Sequence, residues 1–251
     1  MKNMDSVLIE KKGVRGELIL NRPERKNALT GPMVDALHEG LNGLIADSKV
    51  RVILLRGEGG VLCAGNDLKE FGASPSPEWL ATQPQRWTAL HEAMFDCPKP
   101  IVCALEGAAI AAGSALVLAC DLVVAGDGAR LHVAEASERI RKTPYLNTVW
   151  LMWRYGPALT LELAMTAIPL TGPQLVSRGM AVKSVPDAEI LAAARAYADQ
   201  VGEASPEIMA SVKASVRHLS QAGFREIAEK VMGIQQSGTT NWSGTKGLKD
   251  S

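Results

Sequence analysis

The chain reads as an α/β protein, and three observations carry that reading. Residues 51–56 form a nearly continuous apolar run, as expected of a strand in a sheet covered on both faces. A strand at 101–105, a helix at 113–119 and a strand at 122–125 repeat the alternating order that builds α/β cores. Two separate stretches, 61–71 and 99–121, each run from a buried strand through a turn of small residues into a helix start.

The remaining elements follow in order. Residues 7–10 and 17–20 are β-rich runs around Lys12-Gly13, the pattern of a hairpin. Residues 21–27 make a polar turn, and Thr30 with Pro32 marks a helix start. Met33, Leu37, Leu41, Leu44 and Ile45 then lay an apolar stripe along that helix. Residues 73–84, rich in Ser, Pro and Gln, break the periodicity and are expected to form a mobile loop over a cleft, with helix returning at 86–95. Beyond Pro157 the sequence predicts helices near 158–167, 172–178, 187–201, 206–222 and 224–236.

With 251 residues, 47% of them hydrophobic and 22% charged, the chain can bury a core as one domain or a domain with a small appendage. Disordered and fibrous readings are excluded. The 27 basic and 27 acidic side chains cancel, and the pI near 6.9 offers no field to collect nucleic acid or an anionic membrane. An anionic ligand must be held by a few local groups. Cys63, Cys97, Cys103 and Cys120 lie in or beside apolar runs, form no C-x-x-C pair and lack metal-ligand spacing with histidine, so they read as small core residues in a reducing cytoplasm. The first ten residues lack an apolar signal region, and the longest apolar stretch, 108–118, is too short for a bilayer. A soluble cytoplasmic protein is expected.

The chemistry concentrates in the two strand-turn-helix stretches. Free N–H groups at helix starts, flanked by small residues, let an oxygen approach the main chain closely, and two such turns facing each other make an oxyanion hole. The first contains Cys63-Ala64-Gly65-Asn66-Asp67-Leu68; the second passes through Gly107, Ala112 and Gly113 to Cys120-Asp121. Together with Leu170-Thr171-Gly172, Gly179 and Val185-Pro186, these stretches resemble the crotonase (enoyl-CoA hydratase/isomerase) family, closely over residues 7–190 and loosely beyond.

That resemblance implies a crotonase-like (Clp/crotonase) α/β fold, a superhelix of repeated ββα turns over residues 1–190. A C-terminal helical region, 191–251, would pack against neighbours in a homotrimer or a dimer of trimers. The implied substrate is an acyl-CoA thioester, with no metal, flavin or nicotinamide, coenzyme A being carried by the substrate. The implied oxyanion donors are the backbone N–H groups of Asn66 and Ala112, where the family usually has glycine at the second position. Each such donor is worth about 2.7–4 kcal/mol against charge developing on a thioester oxygen. By the same resemblance Lys26, with Arg25 beside it, approaches the CoA phosphates. Ala28, Ala64, Asn66 and Leu68 line the adenine and pantetheine path, and Ile110 and Ala134 line the acyl cleft. Lys26 reads equally as solvated surface, and Asp67 as a structural cap.

Two departures from the family follow. The position of the first hydratase glutamate is Ala115; the second is matched by Glu135, closing the stretch from Ala129. Glu135 is therefore the one candidate acid–base, its structural alternative being an ion pair with Arg139. Hydration is best served by two proton-transfer groups, whereas moving a double bond needs one base that removes a proton and returns it nearby. Isomerisation of an enoyl-CoA leads, with hydration or hydration followed by cleavage as the rival. The second departure is residues 138–147, longer, more basic and more aromatic than in relatives. Arg139, Arg141 or Lys142 there could bind a carboxylated or polar acyl group, or simply be solvated. Two further classes remain open: a CoA-thioester binder without catalysis, and a thioester hydrolase using Ser114 with His132 and Asp127. His38, His91 and His218 read as surface or packing residues.

Overall fold

The computed structural model describes residues 6–67, 69–70, 77–137, 145–219, 226 and 229–230. Its centre is a six-stranded sheet. The N-terminal hairpin, β1 (Val7–Lys12) and β2 (Arg15–Leu20), is antiparallel and turns at Gly13, whose φ of 59° suits glycine. From β2 onward every pairing is parallel, through β3 (Val52–Gly57), β4 (Ile101–Leu105), β6 (Leu122–Gly126) and β8 (Lys183–Val185).

Side chains on these strands alternate between two cores, as a two-residue period requires. Ile53, Leu55, Ile101, Cys103, Leu105, Val123 and Ala125 enter the larger core, which α1 (Gly31–Ala46), α2 (Pro77–Asp96) and α3 (Ala112–Ala119) cover. Val52, Leu54, Val102, Ala104 and Val124 face the other way, against Ile190, Ala194 and Ala198 of α6 (Ile190–Gly202). Covering both faces accounts for the continuous apolar run of β3. Thr30 caps α1 through its side chain, which accepts the Met33 N–H at 3.3 Å, and Met33, Leu37, Leu41 and Leu44 of the predicted stripe are buried.

Where β2 and β3 meet α6, Glu17 is buried among Arg15 (3.0 Å), Arg56 (2.6 Å) and Arg195 (2.8 Å). Burial pushes its carboxyl up, but the three guanidinium groups outweigh this and hold it at about 2.

A second set of pairings crosses the chain's successive turns. Leu29 N–H donates to Gly65 O (2.8 Å), Cys63 N–H to Ala108 O (3.0 Å), and Ile110 N–H to Cys63 O (3.0 Å). β5 (Ala108–Ile110) pairs in parallel with β7 (Arg130–His132), and Leu131 N–H continues to Leu170 O (3.0 Å). The turns at residues 29, 65, 109, 131 and 170 are thereby stacked in one ladder, the repeated superhelical arrangement the resemblance implied.

The structure corrects several boundaries. Residues 77–84 are not loop: α2 begins at Pro77, and Pro84 sits exposed on its outside, where the missing N–H costs one helical bond while Trp87, Leu90 and Met94 bury the inner side. Residues 73–76 lie outside the described residues. Residues 145–147 are likewise not loop but the first turn of α4 (Tyr145–Thr166), which breaks at Gly156 (φ 78°) before Pro157; residues 138–144 lie outside the described residues. The three-residue strands β5, β7 and β8 went unpredicted. Thr171 caps the short α5 (Gly172–Ser177) in a reciprocal box with Gln174, and α7 (Pro206–Leu219) docks through Lys213 on Asp121 (2.6 Å). The predicted helix at 224–236 falls almost entirely outside the described residues. Among the described residues no helix is long and apolar enough to cross a membrane.

Candidate active site

The two small-residue turns meet. A Cβ on Gly65 would lie 2.8 Å from Ile110 O, and one on Gly113 would lie 2.5 Å from Cys63 O, so only glycine lets the backbones approach this closely. Gly65 also has a φ of 92°, which glycine adopts freely. The N–H groups of Asn66 and Ala112 sit one residue from these contacts, on facing turns. Among the described residues neither N–H has an acceptor. Asn66 is half-buried and pairs with Leu29 across the ladder; Ala112 is half-buried at the first position of α3.

The turn before Ala112 is strained. Ala111 has φ 49° and ψ −112°, a backbone state that residues with a Cβ rarely adopt and that costs about 1–3 kcal/mol. Three donors hold its carbonyl in place: the Ala115 N–H (3.1 Å), the Ser114 hydroxyl (2.6 Å) and the Asn147 amide (3.0 Å).

Glu135 follows β7 and reaches the same cluster. Asn147 Nδ2 donates to Glu135 Oε1 at 2.5 Å, and Oε2 is buried with no hydrogen-bond partner among the described residues. Burial raises the Glu135 carboxyl above its ordinary value, against the bonds from its own backbone and from Asn147, which lower it. Arg139, the alternative ion-pair partner, lies outside the described residues, as do Arg141 and Lys142. Ala115 is buried, so its position supplies a methyl group and no proton-transfer chemistry.

The residues implied for coenzyme A lie along adjoining turns. Lys26 is exposed, in a left-handed turn with φ 50°, and its carbonyl accepts the Ala64 N–H (2.9 Å). Ala28 is half-buried, and its carbonyl accepts from Arg22 Nη1 (2.5 Å), while Arg22 Nη2 pairs with Asp67 (3.0 Å). Arg22 thus clamps the Lys26 turn to the Asn66 turn, a role the sequence did not suggest. Burial raises the Asp67 carboxyl, but the Lys69 N–H and Arg22 outweigh it and hold it below the usual range, consistent with the structural reading. Ile110 is half-buried at the end of β5, opposite His132, and Ala134 is buried two residues beyond β7; Leu68 lies outside the described residues.

The hydrolase constellation is not assembled. The Ser114 hydroxyl is fully buried and faces Ala111 O and Asn147 Oδ1 (3.0 Å), while Asp127 bonds Ser184. His91 is a core residue whose Nδ1 accepts from Trp150 Nε1 (2.8 Å), and burial lowers its imidazole to about 3. All four cysteines are buried and free, and burial pushes the Cys63 thiol up to about 12.

Two facing turns whose Asn66 and Ala112 N–H groups have no acceptor among the described residues, with the buried Glu135 carboxylate tied to one of them through Asn147, sit on a stacked-turn α/β scaffold. The sequence profile of the Enoyl-CoA hydratase/isomerase family matches residues 10–248, and the chain belongs to this family, the crotonases. It is 32% identical over 188 residues to a "Probable enoyl-CoA hydratase" of Bacillus subtilis (strain 168), covering 74% of this chain and 72% of the relative. It is 33% identical over 179 residues to the 1,2-epoxyphenylacetyl-CoA isomerase of Escherichia coli (strain K12), covering 70% and 67%. An enoyl-CoA hydratase crystal structure from Polaromonas sp. JS666 superposes with a TM-score of 0.80 at 28% identity, covering 94% of this chain and 93% of that one.

Proposed function

We propose that the protein isomerises the double bond of an enoyl-CoA thioester, with Glu135 as its single acid–base. The Asn66 and Ala112 N–H groups hold the thioester oxygen. Glu135 Oε2 takes a proton from the α carbon, and the C–H electron pair enters a dienolate whose charge rests on that oxygen. The same carboxyl then returns the proton at the γ carbon, leaving the double bond between α and β. No atom is gained or lost. The observation that carries this reading is the buried Oε2 of Glu135, which has no hydrogen-bond partner among the described residues, together with a buried alanine, Ala115, where a second carboxylate would be needed for hydration. A buried carboxyl with a raised pKa is suited to both halves of such a transfer.

Hydration is the second reading, favoured by the hydratase name of the Bacillus relative. Incubating the protein with 3-enoyl- and 2-enoyl-CoAs while following mass and ultraviolet absorbance separates the two: a mass-neutral shift marks isomerisation, a gain of one water marks hydration. Glu135→Gln is expected to lower turnover by about 10²–10⁴-fold while binding is retained. Full activity in that variant would refute Glu135 as the base, and a wild-type chain that binds thioesters without turnover would be a binding protein. The reading extends to a homotrimer, in which exposed Leu161, Met165 and Ile168 would be covered by a neighbour; light scattering on the purified protein tests it.

A further inference from the structure

Asn147 touches both halves of the proposed machinery. Its Nδ2 carries two hydrogens and meets two acceptors, Glu135 Oε1 at 2.5 Å and Ala111 O at 3.0 Å, while its Oδ1 faces the Ser114 hydroxyl at 3.0 Å. The amide orientation is forced, because a flipped side chain would set Oδ1 against two oxygens. Asn147 is itself 1% exposed, on the first turn of α4.

The carbonyl of Ala111 and the N–H of Ala112 are the two ends of one peptide group. In a trans peptide they point in opposite directions, so donors that pin the carbonyl on one side aim the N–H at the other. Hydrogen bonds to a carbonyl also polarise the N–H of the same amide, strengthening it as a donor. We propose that Asn147 is a positioning residue that ties the base Glu135 and the Ala111–Ala112 peptide into one unit, fixing the proton-transfer oxygen relative to the oxyanion donor. This rests on the functional reading above and deepens it. With Oε1 engaged, Oε2 is the only oxygen of Glu135 left to react.

Burial dominates the Glu135 carboxyl, and among the described residues Asn147 is the one side chain that bonds it. α3 carries no titratable side chain apart from the Ser114 hydroxyl; β7 contributes Arg130 and His132, and α4 contributes Tyr145, Arg154, Tyr155 and Glu162. Among the described residues none of these bonds or pairs with Glu135. Deleting the Asn147 donor therefore raises the Glu135 carboxyl further and loosens the peptide at once.

The test compares wild type with Asn147→Leu, which keeps bulk and removes the donors, and Asn147→Asp, which keeps shape and sets a second carboxyl against the first. In folded samples of either variant, kcat for double-bond migration is expected to fall by about 10²-fold, the scale of a small misplacement of reacting groups. The acid limb of the kcat/KM profile should move to higher pH, and the affinity for butyryl-CoA, a saturated thioester, should fall by far less than kcat. The Ala112 amide proton should move upfield in ligand-free protein, a readout that does not depend on turnover. Asn147→Leu added to Glu135→Gln should cost little beyond Glu135→Gln alone. Wild-type kcat with an unmoved acid limb and an unmoved Ala112 amide, in a variant of an active enzyme, would overturn the proposal and leave the functional reading intact. A wild-type chain that moves no double bond would overturn both.

Discussion

Gly113→Ala probes whether the contact between the two turns sets the geometry of the oxygen pocket. The added Cβ would lie 2.5 Å from Cys63 O, 2.9 Å from Cys63 Cβ and 3.0 Å from its Sγ. Ordinary contact begins at 3.4 Å, so the start of α3 must retreat by about 0.9 Å, the difference from the nearest approach. The obstacle is main chain and already engaged, since Cys63 O accepts the Ile110 N–H at 3.0 Å. Forcing it aside costs about 1–3 kcal/mol of stability, as overpacking does. For a chain of this size each kcal/mol lowers the thermal midpoint by about 2–4 °C. Displacing Ala112 from Asn66 misaligns one donor, so kcat should fall by about 10²–10³-fold, the loss seen when an oxyanion donor is removed. KM should change far less, because Lys26 and Ala28 belong to a different turn. Steady-state kinetics and a melting curve on the one variant suffice. Wild-type kcat together with an unaltered midpoint would refute the claim that this contact holds the two donors at a working separation.

Other variants test the frame around the site. Arg22→Met removes the clamp on Ala28 O and strands the Asp67 carboxylate, so it should raise KM for CoA thioesters more than it lowers kcat and cost about 1–3 kcal/mol in urea unfolding; an unchanged KM would count against the CoA path. His91 has its imidazole lowered from 6.5 to about 3 by burial, so the native state stays neutral where the unfolded chain takes up a proton. Its contribution is complete above pH 6.5 and declines as pH falls toward 3, by about 1.4 kcal/mol per pH unit. His91→Gln should flatten that slope in urea titrations between pH 7 and 5, and equal slopes in both proteins would contradict it. The four buried cysteines should resist a thiol reagent in native protein and all react once it is unfolded.

How much of this was legible beforehand depended on whether the signal was local. Strand β4 falls on the predicted residues because five consecutive apolar side chains lie between Pro100 and Glu106, and Thr30 announces α1 because capping uses neighbours three residues apart. β5 and β7 were invisible: three residues each, they are strands only because the ladder pairs them with distant turns. Pro84 hid the first half of α2, since an exposed helical proline and a loop proline look alike in a sequence. In the site, Gly65 and Gly113 could be found from the small-residue turns, and Glu135 from the family resemblance. Asn147, with Tyr145 and Trp150, reads in the sequence as a candidate hydrogen-bond donor or pocket wall, but its partners could not be named, because they come from 12 and 33 positions away and on a helix whose first turn reads as a basic loop. The sequence could not show whether a base reaches the Ser114 hydroxyl either; the fold buries it against Ala111 O and Asn147 once α4 is laid over α3.

The stacked turns distribute risk unevenly among codons. Both N–H groups proposed to hold the thioester oxygen belong to the backbone, so almost any amino acid at positions 66 and 112 preserves them, and only proline deletes the donor outright. Alanine at 112 is an instance of that tolerance. The proposed proton-transfer group has no such insurance, because one base change at codon 135 removes its carboxylate. On the proposed reading, a scaffold of this kind separates the tolerance of its oxygen-binding groups from that of the side chain that moves the proton.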